Sequence, residues 1–233
     1  MLTPSSNTTL EPVLCAMLRD IPEVTVHFSR FAVTQIALSA SALEQFDEVP
    51  ILRAAQLLAH AKVNVIAWNG TSSGWLGFEA DRKLCAALTD TTGIAACTSV
   101  LALNEMFERS GVRRFALVTP YRDDVQRAIV RNYAAAGFEC VAERHLNLQD
   151  NFSFAEVADE QLQTLVREAA AAGPDAIAIF CTNLRGAPLV ATLEDELGIP
   201  IYDTVATALW GSLRSAGVAT TRVQGWGRLF QQL

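Results

Sequence analysis

The sequence predicts an α/β fold of two pseudo-symmetric lobes, each a short parallel sheet flanked by helices. Short apolar runs alternate with longer amphipathic segments along the 233 residues, which is typical of parallel strands covered by helices. Loop motifs of the first half recur in the same order in the second half, and no low-complexity linker separates two domains. We therefore expect one catalytic unit over 1–233, with lobe 1 at about 1–108 plus 206–233 and lobe 2 at about 109–205.

Short apolar runs supply the predicted strands, and amphipathic runs supply the predicted helices. The strand candidates are Val24–Phe31, Val63–Trp68, Arg114–Val118, Phe138–Arg144, Ala176–Phe180 and Ile199–Tyr202. The helix candidates are Thr34–Phe46, Val49–Ala61, Trp75–Leu88, Val100–Ser110, Asp123–Ala136, Phe154–Ala172, Pro188–Leu197 and Val205–Ala216. The chain begins almost directly at a polar loop, so we expect the strand before that loop to be missing or trimmed.

Three loop motifs carry the internal repeat. They pair Thr3-Pro4 with Thr119-Pro120, Ile66–Thr71 with Ile177–Thr182, and Gly93-Ile94 before Thr98 with Gly198-Ile199 before Thr204. Ligands of open α/β sheets bind beyond the carboxyl ends of the strands, where these loops are expected. Two facing lobes would then place Gly70 and Cys181 at equivalent positions on opposite sides of one ligand.

Composition and charge exclude several classes of protein. The net charge is −7 with no block of like charges, so neither nucleic acid nor an anionic membrane is an expected partner. No apolar run reaches 18 residues and the N-terminus lacks the pattern of a signal peptide. The five cysteines are widely spaced, which predicts no disulfide framework and a cytoplasmic location. No P-loop, GxGxxG or metal-spaced cluster occurs, so we expect no cofactor and no metal.

Cys181 is the candidate catalytic residue. It follows the apolar strand Ala176–Phe180 and precedes a polar loop, so free backbone N–H groups should surround the thiol and favour the thiolate. A buried core cysteine is the structural alternative for this residue. We expect core positions for the other four cysteines, with Cys97 the nearest to a repeated loop: Cys15, Cys85, Cys97 and Cys140.

A hydroxyl-rich loop at Asn69–Gly74 supplies candidate substrate-binding groups, among them Thr71 and Ser72. Hydroxyl and backbone N–H groups at the start of a helix can hold a carboxylate or a phosphate, or can simply cap the helix. Tyr121, Asn7 and Asn151 are further polar residues in loops that could bind carboxylate oxygens, although asparagine is also an ordinary turn residue.

The same loop matches the GxSxG nucleophile elbow, with Ser72 as the nucleophile. A hydrolase needs a histidine late in the chain, and only His145 follows the serine. We expect His145 to be a surface or structural residue. A serine hydrolase is therefore the third-ranked interpretation, and labelling of Ser72 by an acylating reagent would support it.

Loops throughout the chain resemble the aspartate/glutamate racemase superfamily, in the branch of maleate cis-trans isomerase and arylmalonate decarboxylase. The residues that carry the resemblance are Pro4–Glu11, Thr119-Pro120-Tyr121, Asn151, Cys181–Leu184 and Gly225–Phe230. The loop Asn69–Gly77 looks most like the ectoine-utilisation protein EutA. The resemblance implies a cofactor-independent enzyme on a small carboxylate, with Asn7, Gly70, Thr71, Ser72, Tyr121, Asn151, Thr182 and Asn183 around the substrate.

One position departs from the racemases and isomerases of this superfamily. They use two facing cysteines, whereas Gly70 stands at the first cysteine position and only Cys181 remains. Arylmalonate decarboxylase also carries glycine there. The resemblance therefore implies one-thiol enediolate chemistry, either decarboxylation or proton transfer on one face, with Trp75 a candidate for desolvating a leaving carboxylate. A place in ectoine breakdown is a further expectation.

Two other functions stay open. A maleate isomerase-like or racemase-like enzyme would take its second group from Asn69, Cys97 or a water, and a non-catalytic protein would only bind a small carboxylate. The sequence leaves the substrate open, and a homo-oligomer is compatible with it.

Overall fold

Two four-stranded parallel sheets share one strand order. The computed structural model describes residues 1–231, apart from the side chain of Ser41. The first sheet contains β1 (Leu2–Pro4), β2 (Ser29–Phe31), β3 (Val65–Trp68) and β4 (Ala95–Thr98), in the order β2-β1-β3-β4. The second contains β5 (Arg114–Thr119), β6 (Glu139–His145), β7 (Ala176–Ile179) and β8 (Ile201–Asp203), in the order β6-β5-β7-β8. The predicted class of fold is confirmed.

Helices cover the sheets. In lobe 1 they are α1 (Leu10–Met17), α2 (Ala40–Leu43), α3 (Glu48–His60), α4 (Ser73–Leu76), α5 (Phe78–Thr92) and α6 (Ser99–Ser110). They continue with α7 (Asp123–Ala135), α8 (Asp159–Ala170), α9 (Val190–Leu197) and α10 (Thr204–Ser215). Short 3₁₀ turns lie at Glu44–Phe46, Phe152–Glu156, Ala187–Leu189, Thr220–Arg222 and Arg228–Gln231. No helix among residues 1–231 is long and apolar enough to cross a membrane.

The strand predictions were wrong at three places in the first half of the chain. The strand expected to be missing is β1, which pairs with β2 and β3. The strand β4 was not predicted, because its sequence Ala-Ala-Cys-Thr is neither strongly apolar nor clearly alternating. Of the predicted strand Val24–Phe31, only the last three residues pair in the sheet.

The helix predictions were wrong where tertiary contacts or a glycine override the pattern. Only the end of Thr34–Phe46 is helical, because the backbone of residues 34–36 hydrogen-bonds to the other lobe instead. The helix α1 was not predicted. The run Trp75–Leu88 breaks into α4 and α5 at Gly77, whose φ of +94° is incompatible with an α-helix.

The registers of the two sheets make the internal repeat explicit. Trp68 lies opposite Leu2 and Thr98, and Ile179 lies opposite Val118 and Asp203. Trp68 and Ile179 are therefore equivalent, and so are Gly70 and Cys181 two residues later. The third repeat shifts by one residue, because Thr98 corresponds to Asp203 and not to Thr204. Both residues accept hydrogen bonds from the first turn of the following helix, α6 or α10.

The two lobes pack closely where α4 meets lobe 2. A Cβ on Gly74 would lie 2.6 Å from the ring of Phe180, so only glycine permits this approach. Asn132 on α7 donates a hydrogen bond to the Gly74 carbonyl oxygen at 2.8 Å. The helix α10 packs against β3, β4 and α6. The exact division of the chain into lobes stays a prediction.

Candidate active site

The loops after β3 and β7 touch directly across the lobe boundary. The Thr182 hydroxyl donates to the carbonyl oxygen of Asn69 at 3.1 Å. The Asn7 amide nitrogen, in the loop after β1, donates to the carbonyl oxygen of Thr182 at 3.0 Å. Thus the residues beside Gly70 and Cys181 are held together at the carboxyl ends of both sheets, as the repeat predicted.

Cys181 lies at the centre of this contact and is 2% exposed. Its sulfur accepts a hydrogen bond from the backbone N–H of Asn183 at 3.4 Å. Burial raises the pKa of the thiol to about 11, although the Tyr121 hydroxyl and the N–H groups of Asn183 and Leu184 lower it. The expectation of a thiolate is therefore wrong for this site, because the cost of burying a charge exceeds the help from the donors. At neutral pH the thiol is therefore protonated.

Tyr121 connects the thiol to the hydroxyl-rich loop. Its hydroxyl lies 2.6 Å from the Thr71 hydroxyl and also interacts with Cys181. Burial raises the pKa of Tyr121 well above its usual range, so the phenol keeps its proton. Trp75 and Phe154 pack edge-on against the Tyr121 ring, with centroids 5.4 and 5.7 Å away. The hydroxyls of Tyr121 and Thr71 therefore lie beside apolar rings, and the low local polarity strengthens the hydrogen bond between them.

Free backbone donors lie beside these hydroxyls. Among residues 1–231, the N–H groups of Thr71, Ser72 and Thr182 have no hydrogen-bond partner. All three residues are 5% exposed or less. Adjacent unpaired N–H groups next to hydroxyls are suited to a carboxylate or to an enediolate oxygen.

The predicted asparagines have structural partners. Asn7 accepts hydrogen bonds from the N–H groups of Thr9 and Leu10, and Asn183 accepts from those of Thr8 and Thr9. The amide nitrogen of Asn183 donates to the Asn151 carbonyl oxygen at 2.6 Å. In this arrangement Asn7 and Asn183 fasten the loop after β1 to the loop after β7.

Asn151 differs from these two asparagines. Its amide nitrogen donates to the Ser6 hydroxyl at 2.7 Å, and its side chain is nearly buried. A serine hydroxyl is a partner that a ligand oxygen can replace. Asn151 is therefore the asparagine best placed to reach a substrate, and its role stays a prediction.

Gly70 has no room for a side chain. A Cβ built on this residue would lie 1.9 Å from Cζ2 of Trp68. Trp68 is 1% exposed and packs against Phe31 with ring centroids 5.0 Å apart. The Ser99 hydroxyl holds the Gly70 carbonyl oxygen at 2.6 Å. The sequence analysis missed Trp68, because a strand pattern predicts burial but not the direction of a ring.

The other cysteines lie outside this site. Cys15 is exposed on α1, so its predicted core position is wrong, and Cys85 and Cys140 are half-buried. Cys97 is also partly buried, and its sulfur lies 3.5 Å from the Ser212 hydroxyl near the C-terminal end of α10. The site is at the opposite end of that helix, so Cys97 is poorly placed to supply a second thiol.

The hydrolase interpretation finds no histidine beside Ser72. The ring of His145 hydrogen-bonds to Glu143 at 2.8 Å and to Asp123 at 2.7 Å. Although burial alone lowers the pKa of His145, these carboxylates raise it above its usual value. His145 is thus a structural residue that joins β6 to α7. Within residues 1–231, no group of three His, Cys, Asp or Glu side chains could hold a metal ion.

The sequence analysis missed Asp203, a buried carboxyl close enough to Cys181 to affect the pKa of the thiol. It caps α10 through its Oδ1 atom, which accepts from the N–H of Val205 at 2.8 Å. Its other oxygen, Oδ2, has no hydrogen-bond partner in the described chain. Burial raises the pKa of this carboxyl to about 7. The only sequence signal was its place just before a helix.

Comparison with known families decides the identity of the fold. The family model described as arylmalonate decarboxylase matches residues 12–230. The chain belongs to the arylmalonate decarboxylase family. It is therefore an enzyme of the aspartate/glutamate racemase superfamily, to which that family belongs, as the loop motifs implied.

Similarity to known members of this group extends over most or all of the chain. A maleate isomerase of Geobacillus stearothermophilus is 26% identical, with 94% of this chain and 92% of the relative covered. An arylmalonate decarboxylase of Bordetella bronchiseptica is 28% identical, with 87% and 86% covered. A Nocardia farcinica maleate cis-trans isomerase, solved as a cysteine-to-serine variant with a covalently bound succinylcysteine intermediate, has a TM-score of 0.89 at 26% identity. That comparison covers 100% of this chain and 97% of the other.

Proposed function

We propose that this enzyme performs one-thiol enediolate chemistry on a small carboxylate. Decarboxylation of the arylmalonate decarboxylase type is the leading reaction, and proton transfer on one face is its close variant. The observation that carries the proposal is a protonated, buried thiol on Cys181 opposite a glycine that cannot bear a second sulfur.

Substrate binding would use the donors that the protein leaves free. One carboxylate of the substrate would accept hydrogen bonds from the hydroxyls of Thr71 and Tyr121 and from the unpaired N–H groups of Thr71, Ser72 and Thr182. These donors are fixed before the reaction begins, and they are buried. Their effect on the developing enediolate is therefore larger than in water.

The reaction then proceeds in two steps. The bond from Cα to the second carboxylate breaks, its electron pair moves to Cα and the oxygens of the bound carboxylate, and CO2 leaves. The thiol of Cys181 donates its proton to Cα, and the thiolate regains a proton from solvent after product release. The rings of Trp75 and Phe154 beside Tyr121 exclude water, which favours conversion of a charged carboxylate into neutral CO2.

Removal of the thiol tests this role. Cys181→Ala should lower turnover of a substituted malonate about 10³-fold, since the proton donor is lost while the carboxylate-binding groups stay. Affinity, measured by calorimetry, should change little. The matched control is Cys140→Ala, a partly buried cysteine in β6, which should leave both quantities unchanged. Turnover by Cys181→Ala close to that of the unmodified enzyme would reject the mechanism.

Two alternatives give different results. A maleate isomerase-like or racemase-like reaction needs a second group on the other face, where Gly70 and Trp68 offer none. A non-catalytic carboxylate-binding protein would bind malonates without any turnover. The place in ectoine breakdown, the cytoplasmic location and the oligomeric state stay predictions.

A further inference from the structure

We infer that Trp68 determines the specificity of the carboxylate site, by placing an aromatic wall where a second thiol would stand and by restricting the substrate to small carboxylates. The inference rests on the proposed function of the Cys181 site and adds a residue to it.

The indole covers the side-chain position of Gly70, two residues beyond it in the loop after β3. The ideal Cβ position of Gly70 lies 1.9 Å from Cζ2, 2.4 Å from Cε2 and 2.5 Å from Cη2 of the indole. Phe31 supports the ring from lobe 1, with 5.0 Å between centroids. The six-membered part of the indole therefore fills the space of a residue-70 side chain.

The internal repeat identifies that space. Gly70 is the counterpart of Cys181, because Trp68 and Ile179 hold equivalent registers in the two sheets. The hydrogen bond from Thr182 to Asn69 joins the neighbours of the two positions. The indole thus replaces the sulfur that the pseudo-twofold relation would place across from Cys181. An apolar ring can neither donate nor accept a proton, so the substrate face toward Trp68 is inert.

The Trp68 ring also lines a second space. A pocket of about 360 Å³ has Trp68 and Ser72 in its wall, together with apolar residues such as Ile51 and Leu84 and the charged Glu48, Glu79, Asp81 and Lys83. A cavity of about 150 Å³ is large enough for benzene, so the volume of this pocket suffices for an aryl group if removal of the indole connects it to the site. The indole stands between this pocket and the side-chain position of residue 70, so it occupies space that a larger substituent would need.

A double-mutant cycle tests the steric part without any substrate. Gly70→Ala should lower the melting temperature by about 5 °C, because its methyl group meets the indole. The loss should fall by at least half in a Trp68→Leu background. In a Trp210→Leu background, where another fully buried indole is removed, the loss should stay the same. Equal losses with and without the Trp68→Leu substitution would overturn the inference. If Trp68→Leu does not fold, Trp68→Phe serves, since it lacks the outer part of the indole.

Binding to an inactive protein tests the specificity part. In the Cys181→Ala background, calorimetry should show malonate bound more tightly than phenylmalonate. Adding Trp68→Leu should improve phenylmalonate affinity by about tenfold or more, with no gain for malonate. An unchanged ratio of the two affinities, or no binding of either acid to either protein, would overturn this part. Substantial turnover by Cys181→Ala alone would refute the proposed function. The double-mutant cycle of melting temperatures would still test the contact between Trp68 and residue 70.

Discussion

The chemistry of Cys181 depends on competition between burial and hydrogen bonding. Burial raises the pKa of the thiol to about 11, and the Tyr121 hydroxyl is the first of the groups that oppose the rise. In the proposed mechanism the protonated thiol is the acid that protonates a carbanion, whereas a nucleophilic thiolate would need a lowered pKa. The Tyr121 hydroxyl contacts both the thiol and the Thr71 hydroxyl, so it joins the proposed proton donor to the proposed carboxylate site.

Loss of that hydroxyl should impair the chemical step. Tyr121→Phe removes one fixed donor from the enediolate site, and we expect kcat to fall about 100-fold with a smaller change in KM. Tyr133→Phe is a matched control, because Tyr133 is equally buried and its hydroxyl has no hydrogen-bond partner within residues 1–231. Equal kcat values for the two variants would exclude Tyr121 from the reaction.

Sequence reasoning located site residues whose positions follow from strand ends. Cys181, Thr71 and Tyr121 each lie just beyond a predicted strand, and parallel strands bring such ends together. The roles of Asn7 and Asn183 were not predictable in the same way, because they depend on partners 174 or 175 residues away along the chain.

At the scale of elements, the junction of β8 and α10 carries a buried carboxyl. Asp203 caps α10 through Oδ1, while burial raises its pKa from 3.8 to about 7. The folded protein therefore binds this proton more tightly than the unfolded chain does. The resulting stabilisation is complete below about pH 4 and is lost as the pH rises through about 7.

Replacement of the ionisable group should remove that pH dependence. Asp203→Asn keeps a capping oxygen but stays neutral, so its free energy of unfolding should fall less between pH 4 and 8 than that of the unmodified protein. Over that range the unmodified protein should lose about 1.4 kcal/mol more than the variant for each unit by which the pKa of Asp203 is raised. Burial raises the pKa of Asp81 to about 6. Asp81→Asn should therefore reduce the pH dependence of the free energy of unfolding only between about pH 4 and 6. Identical profiles for Asp203→Asn and the unmodified protein, from urea titrations, would contradict the account.

The elements themselves were partly predictable. Long amphipathic runs such as α3 and α7 follow their periodicity. The errors at β4 and at Gly77 arise from a strand of weak pattern and from a single backbone conformation inside an otherwise helical run. Such features depend on neighbouring elements or on one dihedral angle, which periodicity does not encode.

At the scale of the molecule, an interlobe strap crosses beside the site. The strap consists of residues 33–37 of lobe 1 and 149–151 of lobe 2. The N–H of Ile36 donates to the Gln149 carbonyl oxygen and that of Asn151 donates to the Thr34 carbonyl oxygen, both at 2.9 Å. Because Cys181, Tyr121 and Thr71 are 5% exposed or less, we expect substrate to enter only when a connection such as the strap opens.

A reversible cross-link tests whether the strap opens. Gln35 and Asp150 form an antiparallel bridge, whose Cα atoms lie within the range that a disulfide spans. Gln35→Cys with Asp150→Cys, in a Cys15→Ser background that removes the exposed thiol, should lose turnover on oxidation and recover it with a reductant. Gln35→Cys alone should be insensitive to both treatments. Full turnover by the oxidised double variant would show that substrate enters elsewhere.

The central claim is that a single sulfur delivers the proton to one face of the substrate. Decarboxylation of a malonate with two different substituents, run in D2O and followed by chiral chromatography with mass spectrometry, tests it most directly. The account predicts one enantiomer carrying one deuterium at Cα, with no further exchange on long incubation. A racemic product, or steady loss of enantiomeric purity in the presence of enzyme, would contradict it.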